Sequence, residues 1–168
     1  MIALYNRIIA WLFSLLLLVF PSLLKYSPPL DVNASVASVI TAIKTRDINT
    51  IEAFMCKNIK DNVPNLHAEI ERLIDAIEGT ITSTSSESGD GFYGSSGGKK
   101  IDQKNSYSRI NTSTTTYRLT IVWEVYNNFS IEERGIRAVD LFIPASDTEP
   151  EKVFAEISAT NGIWSMHS

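Results

Sequence analysis

Cysteine and histidine are the scarcest reactive residues in this chain of 168 residues. Cys56 is the single cysteine, so no disulfide can form within one chain, and a lone thiol on a predicted helix is typical of a small buried hydrophobe. The two histidines, His67 and His167, form no cluster of metal-ligand spacing with acidic residues or the cysteine. They also allow no Ser-His-Asp triad to be assembled. The sequence therefore predicts neither a metal site nor a bound cofactor.

Positive charge is sparse as well. The formal net charge is −4, and residues 35–168 carry −5 because residues 1–34 contribute +1. Lys99 and Lys100 form the only pair of adjacent basic residues, and they lie in glycine-rich sequence. Because the phosphates of nucleic acids are bound by clustered Lys and Arg, this composition excludes nucleic acid as a partner.

A glycine motif is present without the context that would give it a function. Residues 89–94 (GDGFYG) match the letters of the dinucleotide-binding motif. That motif needs a hydrophobic strand before it and a helix after it, so that the pyrophosphate meets a helix N-terminus. Serine-rich sequence stands on both sides here, which argues against nucleotide binding.

The N-terminal region holds the longest apolar run. Residues 8–24 are 17 residues without a charge, flanked by Arg7 and Lys25. The run is at the short end for a membrane-spanning helix, and extension back to residue 2 leaves Arg7 able to snorkel to the interface. A positive residue followed by an apolar run and then by a small-residue cleavage site, here at residues 32–34, is also typical of a secretory signal. An uncleaved anchor and a cleaved signal both remain open, and both place the remainder outside the cytoplasm.

This division predicts two regions. Residues 1–34 are expected to be a signal peptide or transmembrane anchor with a spacer, and residues 35–168 a single extracytoplasmic domain. The membrane is then a partner through residues 2–24. The protein is expected at the cell membrane with its domain on the outer side, or secreted if the signal is cleaved.

Apolar residues at helical spacing predict three helices before residue 80. The first begins at a cap provided by Asn33 or Ser35 and ends near residue 46. The second begins at an Asp47 N-cap and continues to residue 59. The third begins near residues 62–65, with Pro64 suited to a first turn, and ends at Gly79.

After residue 80 the pattern changes to that of strands. Residues 80–86 are polar but β-prone, and residues 88–98 are predicted as a glycine- and serine-rich turn region around a short strand at Phe92 and Tyr93. Residues 100–116 are predicted as a polar strand pair or one long irregular strand. Residues 117–128 (YRLTIVWEVYNN) alternate most clearly and predict the central strand. Further strands are predicted at residues 134–143 and 153–157, with residues 162–164 closing a hairpin. Helices followed by strands indicate an α+β fold with an antiparallel sheet.

The central strand predicts two different faces. Tyr117, Trp123 and the apolar residues between them would lie against the core. The opposite face would be wet and carries a possible contact surface made of Arg118, Glu124 and Tyr126.

The order of elements resembles the nuclear transport factor 2-like (cystatin-like) cone fold, with helices packed on a curved sheet. More specifically, SVITAIKTRDINTIEAFM, LHAEIERLIDAIEG and TYRLTIVWEVYN resemble domain of unknown function 5104, a family of small bacterial lipoproteins. The resemblance covers roughly residues 34–143 and implies a membrane-tethered extracytoplasmic domain of unassigned function. Members of that family carry a lipid-modified cysteine after the signal, whereas Lys25 and Tyr26 follow the apolar run here. The apolar segment itself is therefore the expected tether.

Cone folds of this kind can hold a pocket between helices and sheet. The resemblance implies that Asp140, Tyr117 and Arg137 are the candidates for chemistry in such a pocket. Its possible lining comprises the following side chains: Phe54, Tyr117, Trp123, Phe142, Asp140 and Arg137. The alternative is that these rings simply fill the core, and the sequence favours it.

Two classes of function follow. The absence of a catalytic constellation favours a membrane-tethered or secreted module that binds an unknown protein or small ligand. The alternatives are a small-molecule enzyme that uses the cone pocket and a protein of the toxin-immunity type.

Overall fold

The computed structural model describes residues 28–145 and 150–159. The predicted apolar segment at residues 2–24, the predicted hairpin residues 162–164 and His167 lie outside the described residues. Among the residues that are described, no helix is both long enough and apolar enough to span a membrane. The division at residue 34 stays a prediction, although the first described helix already begins at Val32.

The described N-terminal half contains four helices, where the sequence predicts three. They are α1 Val32–Thr45, α2 Ile48–Phe54, α3 Lys57–Asn62 and α4 Leu66–Asp75. The extra helix arises because the predicted second helix is divided at Met55 and Cys56, both of which have extended backbone.

Acidic caps start the first two helices. Asp31 accepts the backbone N–H of Ala34 at 3.1 Å, so the prediction of a cap at Asn33 or Ser35 is wrong. Asp47 caps α2 as predicted, because its carboxylate accepts both the hydroxyl of Thr50 at 2.6 Å and its N–H at 3.1 Å. The Thr50 hydroxyl and then its N–H hold the pKa of Asp47 below its ordinary value, as expected for a carboxylate that is bonded in its charged form.

A contact with the sheet divides the predicted second helix. The Cys56 N–H donates to the carbonyl of Ile136 at 3.0 Å, and Met55 forms an isolated parallel bridge with the same residue. Gly135 allows this approach, because a Cβ at that position would lie only 2.3 Å from the Phe54 carbonyl oxygen. The chain therefore exchanges one helical turn for hydrogen bonds to a strand.

The last helix starts at the end of the predicted range, residues 62–65, with Pro64 before it and not in its first turn, and it ends earlier than predicted. It begins after Asn65, which has a left-handed backbone, and ends at the Ala76 cap. Gly79 does have a positive φ of 83°, but it belongs to the turn after the helix. The Glu78 N–H in that turn donates to the Tyr117 hydroxyl at 3.0 Å, so the turn is attached to the central strand.

Within the described part of the chain, five antiparallel strands form one sheet in the order β1-β2-β3-β4-β5. The strands are β1 Ile81–Ser96, β2 Lys99–Thr112, β3 Thr116–Asn127, β4 Gly135–Ile143 and β5 Lys152–Ser158. The α+β class and the central position of β3 are confirmed.

The short strand predicted at Phe92 and Tyr93 is confirmed, but it is part of a much longer one, so the prediction of a turn through most of residues 88–98 is wrong. The turn is confined to Gly97 and Gly98, whose φ angles of 56° and 80° suit a two-residue hairpin. Glycine and aspartate have low strand propensity, but the ladder with β2 keeps this segment extended. The polar stretch after the turn is one strand, which is the second of the two alternatives.

The core lies on the helix-facing side of β3. Tyr117, Leu119, Ile121, Trp123 and Val125 are all buried at 3% exposure or less. Apolar residues of the helices and of β4 and β5 complete the same cluster. The alternation of β3 therefore predicted its buried face correctly.

Candidate functional site

The two large rings of β3, which the sequence offered as the lining of a pocket, are buried in the core. Trp123 is 0% exposed, and its indole N–H donates to the Ser106 hydroxyl at 2.8 Å. Tyr117 is 1% exposed, and its hydroxyl accepts the N–H of Glu78. Both polar atoms thus have protein partners, so both rings are core residues with satisfied hydrogen bonds.

Only one of the two predicted phenylalanines is found beside these rings. Phe54 meets Trp123 edge to face, with ring centroids 6.0 Å apart. Phe142 pairs across the strands with Arg118, and paired residues share a face of a sheet. Its ring lies 5.5 Å from the Arg118 guanidinium, on the face opposite to Tyr117. The expected lining set therefore divides into two groups.

The candidates for chemistry are separated in the same way. Asp140 pairs with Thr120 on β3 and with Glu156 on β5, whereas Tyr117 points to the other face of the sheet. Arg137 lies further along β4 and contacts Glu124 instead. The structure does not bring the three predicted groups into one constellation.

Glu124 is the unexpected residue of β3. The sequence places it on a wet face, but the side chain is 0% exposed, so that part of the prediction is wrong. Arg137 Nη1 donates to its Oε2, and Gln103 Nε2 donates to the same oxygen at 3.3 Å. Asn127 Nδ2 donates to Oε1 at 2.5 Å. A buried carboxylate is costly unless it is paired in this way.

A bulge explains why the predicted contact face is not continuous. Gln103 pairs with Glu124, and the preceding Asp102 pairs with Tyr126, so Val125 is the extra residue on β3. One inserted residue reverses the direction of every side chain after it. Tyr126 therefore lies on the opposite face from Glu124 and is covered by the Arg134 guanidinium at 5.1 Å.

Of the predicted contact residues, Arg118 is the one that is exposed. It lies at the far end of β3, nine residues before Asn127, which corresponds to about 30 Å along a strand. Arg118, Glu124 and Tyr126 consequently do not form a shared contact surface.

Asn127 and Gln103 also belong to this site, because both donate to Glu124. No pattern in the sequence identified them. Asn127 is 2% exposed, and its Oδ1 accepts the N–H groups of Phe129 and Ser130 at 3.1 and 2.9 Å. The same side chain therefore holds Glu124 and the connection from β3 to β4. This arrangement is a fixed polar network, and its charged centre is closed to water.

The Cys56 thiol lies close to this network but is unsuited to act as a nucleophile. It is 0% exposed, and burial raises its pKa above the ordinary value of 9.0. The charges of Glu133 and Glu124 raise the pKa further, while that of Arg137 lowers it. Because the thiolate is the reactive form, a protonated buried thiol is inert at neutral pH.

Two cavities lie on either side of α1, and neither includes Trp123 in its lining. One has a volume of about 360 Å³ along the polar side of α1 and the start of α2, and includes Thr41, Asp47 and Thr50. The other has a volume of about 370 Å³ between α1 and the first two strands, and includes Asn33 and Ser88. Hydroxyl side chains contribute to the lining of both cavities, beside apolar side chains of α1.

Acidic and histidine side chains are dispersed over residues 28–145 and 150–159. No group of three or more His, Cys, Asp or Glu within these ranges could hold a metal ion. His67 lies at the surface, where its Nδ1 is 3.3 Å from Glu52 Oε2.

Two exposed aromatic residues lie on β1, where the sequence predicted a short strand within a turn region. Phe92 is 52% exposed and Tyr93 is 61% exposed. The Phe92 ring lies across Gly94, where an added Cβ would come within 2.8 Å of it. In the sequence, these two aromatics stand side by side among glycines and serines. Neither a helix nor an apolar strand is predicted next to them, so the sequence did not indicate a function for them.

Comparison with known proteins gives a family and no activity. The model of a domain of unknown function, DUF5104, matches residues 38–146. No curated protein matches the chain. The matched range includes the buried Glu124 network and the exposed aromatics of β1.

Proposed function

The chain belongs to the DUF5104 family of domains of unknown function, and from that premise we propose that it is a membrane-tethered extracytoplasmic module that binds a protein partner along β1. The observation that carries the proposal is the open edge of this strand. β1 is 16 residues long, and among the described residues it pairs only with β2. An edge strand presents unpaired backbone N–H and C=O groups that an extended segment of another chain can meet.

The side chains of β1 suit a specific partner better than self-association. Phe92 and Tyr93 supply the exposed aromatic area that is enriched at protein interfaces. Glu87 and Asp90 are exposed charges on the same strand, and the register shifts between Ser88 and Gly91. Charges and bulges of this kind oppose edge-to-edge pairing between identical sheets.

The helix side of the sheet supports a binding role over catalysis. Trp123 and Tyr117, which the sequence offered as the lining of a cone pocket, are buried in the core. The Glu124 carboxylate is neutralised by Arg137 and closed to solvent. The toxin-immunity alternative is itself a protein-binding function, and the identity of the partner would distinguish it.

We also propose the nuclear transport factor 2-like cone as the fold. Its support is a row of helices packed on one side of an antiparallel sheet, with a register shift in every neighbouring strand pair. Such shifts bend strands and increase their twist, as a cone requires.

The test is site-specific photocrosslinking of the full chain in its native membrane. A photoreactive amino acid would replace Tyr93 in one variant and Val153 in the other, because both side chains are 61% exposed but lie on opposite edges of the sheet. We expect position 93 to capture one defined protein that position 153 does not capture. The purified partner should then bind the chain, and Phe92→Ser should weaken that binding.

Equal capture from positions 93 and 153, or capture from neither, would contradict the proposal. A captured protein whose binding is unaffected by Phe92→Ser would place the interface elsewhere. Because Phe92 is half exposed, the substitution is expected to leave the fold intact, which circular dichroism would verify.

A further inference from the structure

The first described residues of the chain lie at one particular end of the sheet. The carbonyl of Pro28 accepts a hydrogen bond from Arg134 Nη1 at 3.1 Å. The Leu30 N–H donates to the carbonyl of Val125 at 3.1 Å, just beyond the point where β4 begins to pair with β3. The chain thus enters the domain beside the end of β3 and the connection that follows it.

Exposed apolar side chains lie at the same end. Phe129 is 50% exposed and Ile131 is 46% exposed, and both belong to the connection between β3 and β4. Lys99 Nζ lies 4.9 Å above the Phe129 ring. We call the surface formed by Phe129, Ile131, Lys99 and Lys100 the Phe129 end.

Hydrogen bonds hold the Phe129 end in a defined shape. Asn128 Oδ1 accepts the Lys100 N–H at 2.7 Å, and the Asn128 N–H donates to the Lys100 carbonyl at 3.2 Å. Asn127 Oδ1 binds the N–H of Phe129. The β1–β2 turn and the β3–β4 connection are therefore joined, and the apolar side chains are displayed on a rigid support.

The length of chain before Pro28 determines what this end can meet. The uncharged apolar run finishes at Leu24, and four Cα–Cα steps separate that residue from Pro28. Even fully extended, they span about 14 Å. If the run is in a bilayer, the Phe129 end must lie at or near the bilayer surface.

We propose that the Phe129 end docks on the lipid surface, with Phe129 and Ile131 entering the interfacial layer and the two lysines contacting lipid phosphates. The proposal rests on the membrane tether of the proposed function. Aromatic and aliphatic side chains flanked by lysine are the composition that suits this layer, and lysine can extend its charge outward while its stem stays apolar. Glu132 is exposed nearby, so docking depends on apolar insertion as well as on lysine.

The test uses the full chain reconstituted into vesicles of phosphatidylethanolamine and phosphatidylglycerol. A nitroxide label is attached at Ile131→Cys or, as the control, at Val153→Cys. Val153 is exposed and pairs with Phe142. Phe142 in turn pairs with Arg118, so position 153 lies toward the opposite end of β3. Cys56 is fully buried, so the label reacts with the introduced thiol.

Collision rates with lipid-soluble oxygen and a water-soluble nickel chelate report the surroundings of each label. We expect the oxygen-to-nickel ratio to be severalfold higher at position 131 than at position 153. Adding Phe129→Ser to the Ile131→Cys chain should lower the ratio toward that of position 153, whereas Val153→Ser should leave it unchanged.

Two failures are distinguishable. A chain that floats with the vesicles while both labels have the same aqueous ratio overturns the docking proposal and leaves the tether intact. A chain that does not float with vesicles overturns the tether and, with it, the docking that depends on it.

Discussion

Arg137 donates its Nη1 to Oε2 of Glu124, and the two side chains differ greatly in exposure: 26% for the arginine and 0% for the glutamate. The guanidinium therefore neutralises a carboxylate that water cannot reach. Gln103 and Asn127 occupy the remaining positions around the carboxylate. Since a buried ion pair gives little net stability compared with apolar residues, its clearest effect is to hold the end of β3 in one arrangement.

Loss of Arg137 should be far more damaging than loss of an exposed arginine. Arg137→Met leaves Glu124 buried and unpaired, which costs about 3–5 kcal/mol of unfolding free energy. Urea unfolding measures the change. Arg118→Met is the matched control, because its guanidinium is exposed and stacks on Phe142, an interaction worth about 1 kcal/mol at most at such a site. Equal losses in the two variants would show that the buried pair has no special role.

Cys56 should make stability fall at alkaline pH. Burial raises the pKa of its thiol above 9.0 in the folded state, so the unfolded chain loses this proton first. The contribution of the protonated thiol to the unfolding free energy is fully present below the pKa of the unfolded chain. It is lost as pH rises through the pKa of the folded chain. We expect the unfolding free energy to decline above about pH 8.5, and Cys56→Ala to reduce that slope.

The reactivity of the same thiol gives an independent measurement. In the folded chain at neutral pH, Cys56 should react with an aromatic disulfide reagent orders of magnitude more slowly than in urea, since it is buried and protonated. A thiol added at exposed Val153 serves as the fast control. Comparable rates at the two positions in the folded chain would contradict the buried assignment.

Gly135 should tolerate no side chain. Its φ of 130° is unsuited to other residues, and a Cβ would lie 2.3 Å from the Phe54 carbonyl oxygen. Backbone strain alone costs of order 1–3 kcal/mol, and the clash adds to it, so we expect Gly135→Ala to lower the melting temperature strongly. At Gly97 nothing lies within 4 Å of an added Cβ, so Gly97→Ala should cost only about 1–2 kcal/mol. A milder effect at Gly135 would mean that the α2–α3 break can move.

Ser106 should matter through one hydrogen bond. It is 1% exposed and accepts the indole N–H of Trp123. Ser106→Ala leaves that N–H buried without a partner, at a cost of about 1–3 kcal/mol, measurable by denaturant unfolding. Ser95→Ala, on the exposed part of β1, should change stability by less than about 0.5 kcal/mol. A blue shift of the buried indole emission would accompany the loss at Ser106, and its absence together with unchanged stability would contradict the assignment.

Some parts of the fold could be predicted because their cause is local. The alternation of β3 identified its buried face from Tyr117 to Val125, and Asp47 was recognised as a cap from its position before an apolar stripe. Periodicity and capping depend on residues within a few positions of each other. The family resemblance was also carried by such local segments, and the match over residues 38–146 confirms it.

Other parts could not be predicted because their cause lies in another element. No residue near Met55 is incompatible with a helix. The helix nevertheless ends there, because the N–H of Cys56 binds the Ile136 carbonyl. The serine- and glycine-rich β1 is extended because β2 lies beside it. Tyr126 lies on the face opposite to the predicted one, because β3 has one extra residue in its pairing with β2. The register of a strand depends on its partner strand.

The sequence by itself determined the α+β class, the core face of β3, the family and the lack of a metal- or triad-type motif, because composition and period are properties of the chain alone. Tertiary structure alone decided that Glu124 is buried against Arg137 and that Arg134 binds the Pro28 carbonyl. It also decided that Phe92 and Tyr93 lie on a strand that pairs, among the described residues, only with β2. These are contacts between residues distant in sequence, and their partners exist only once the strands have paired.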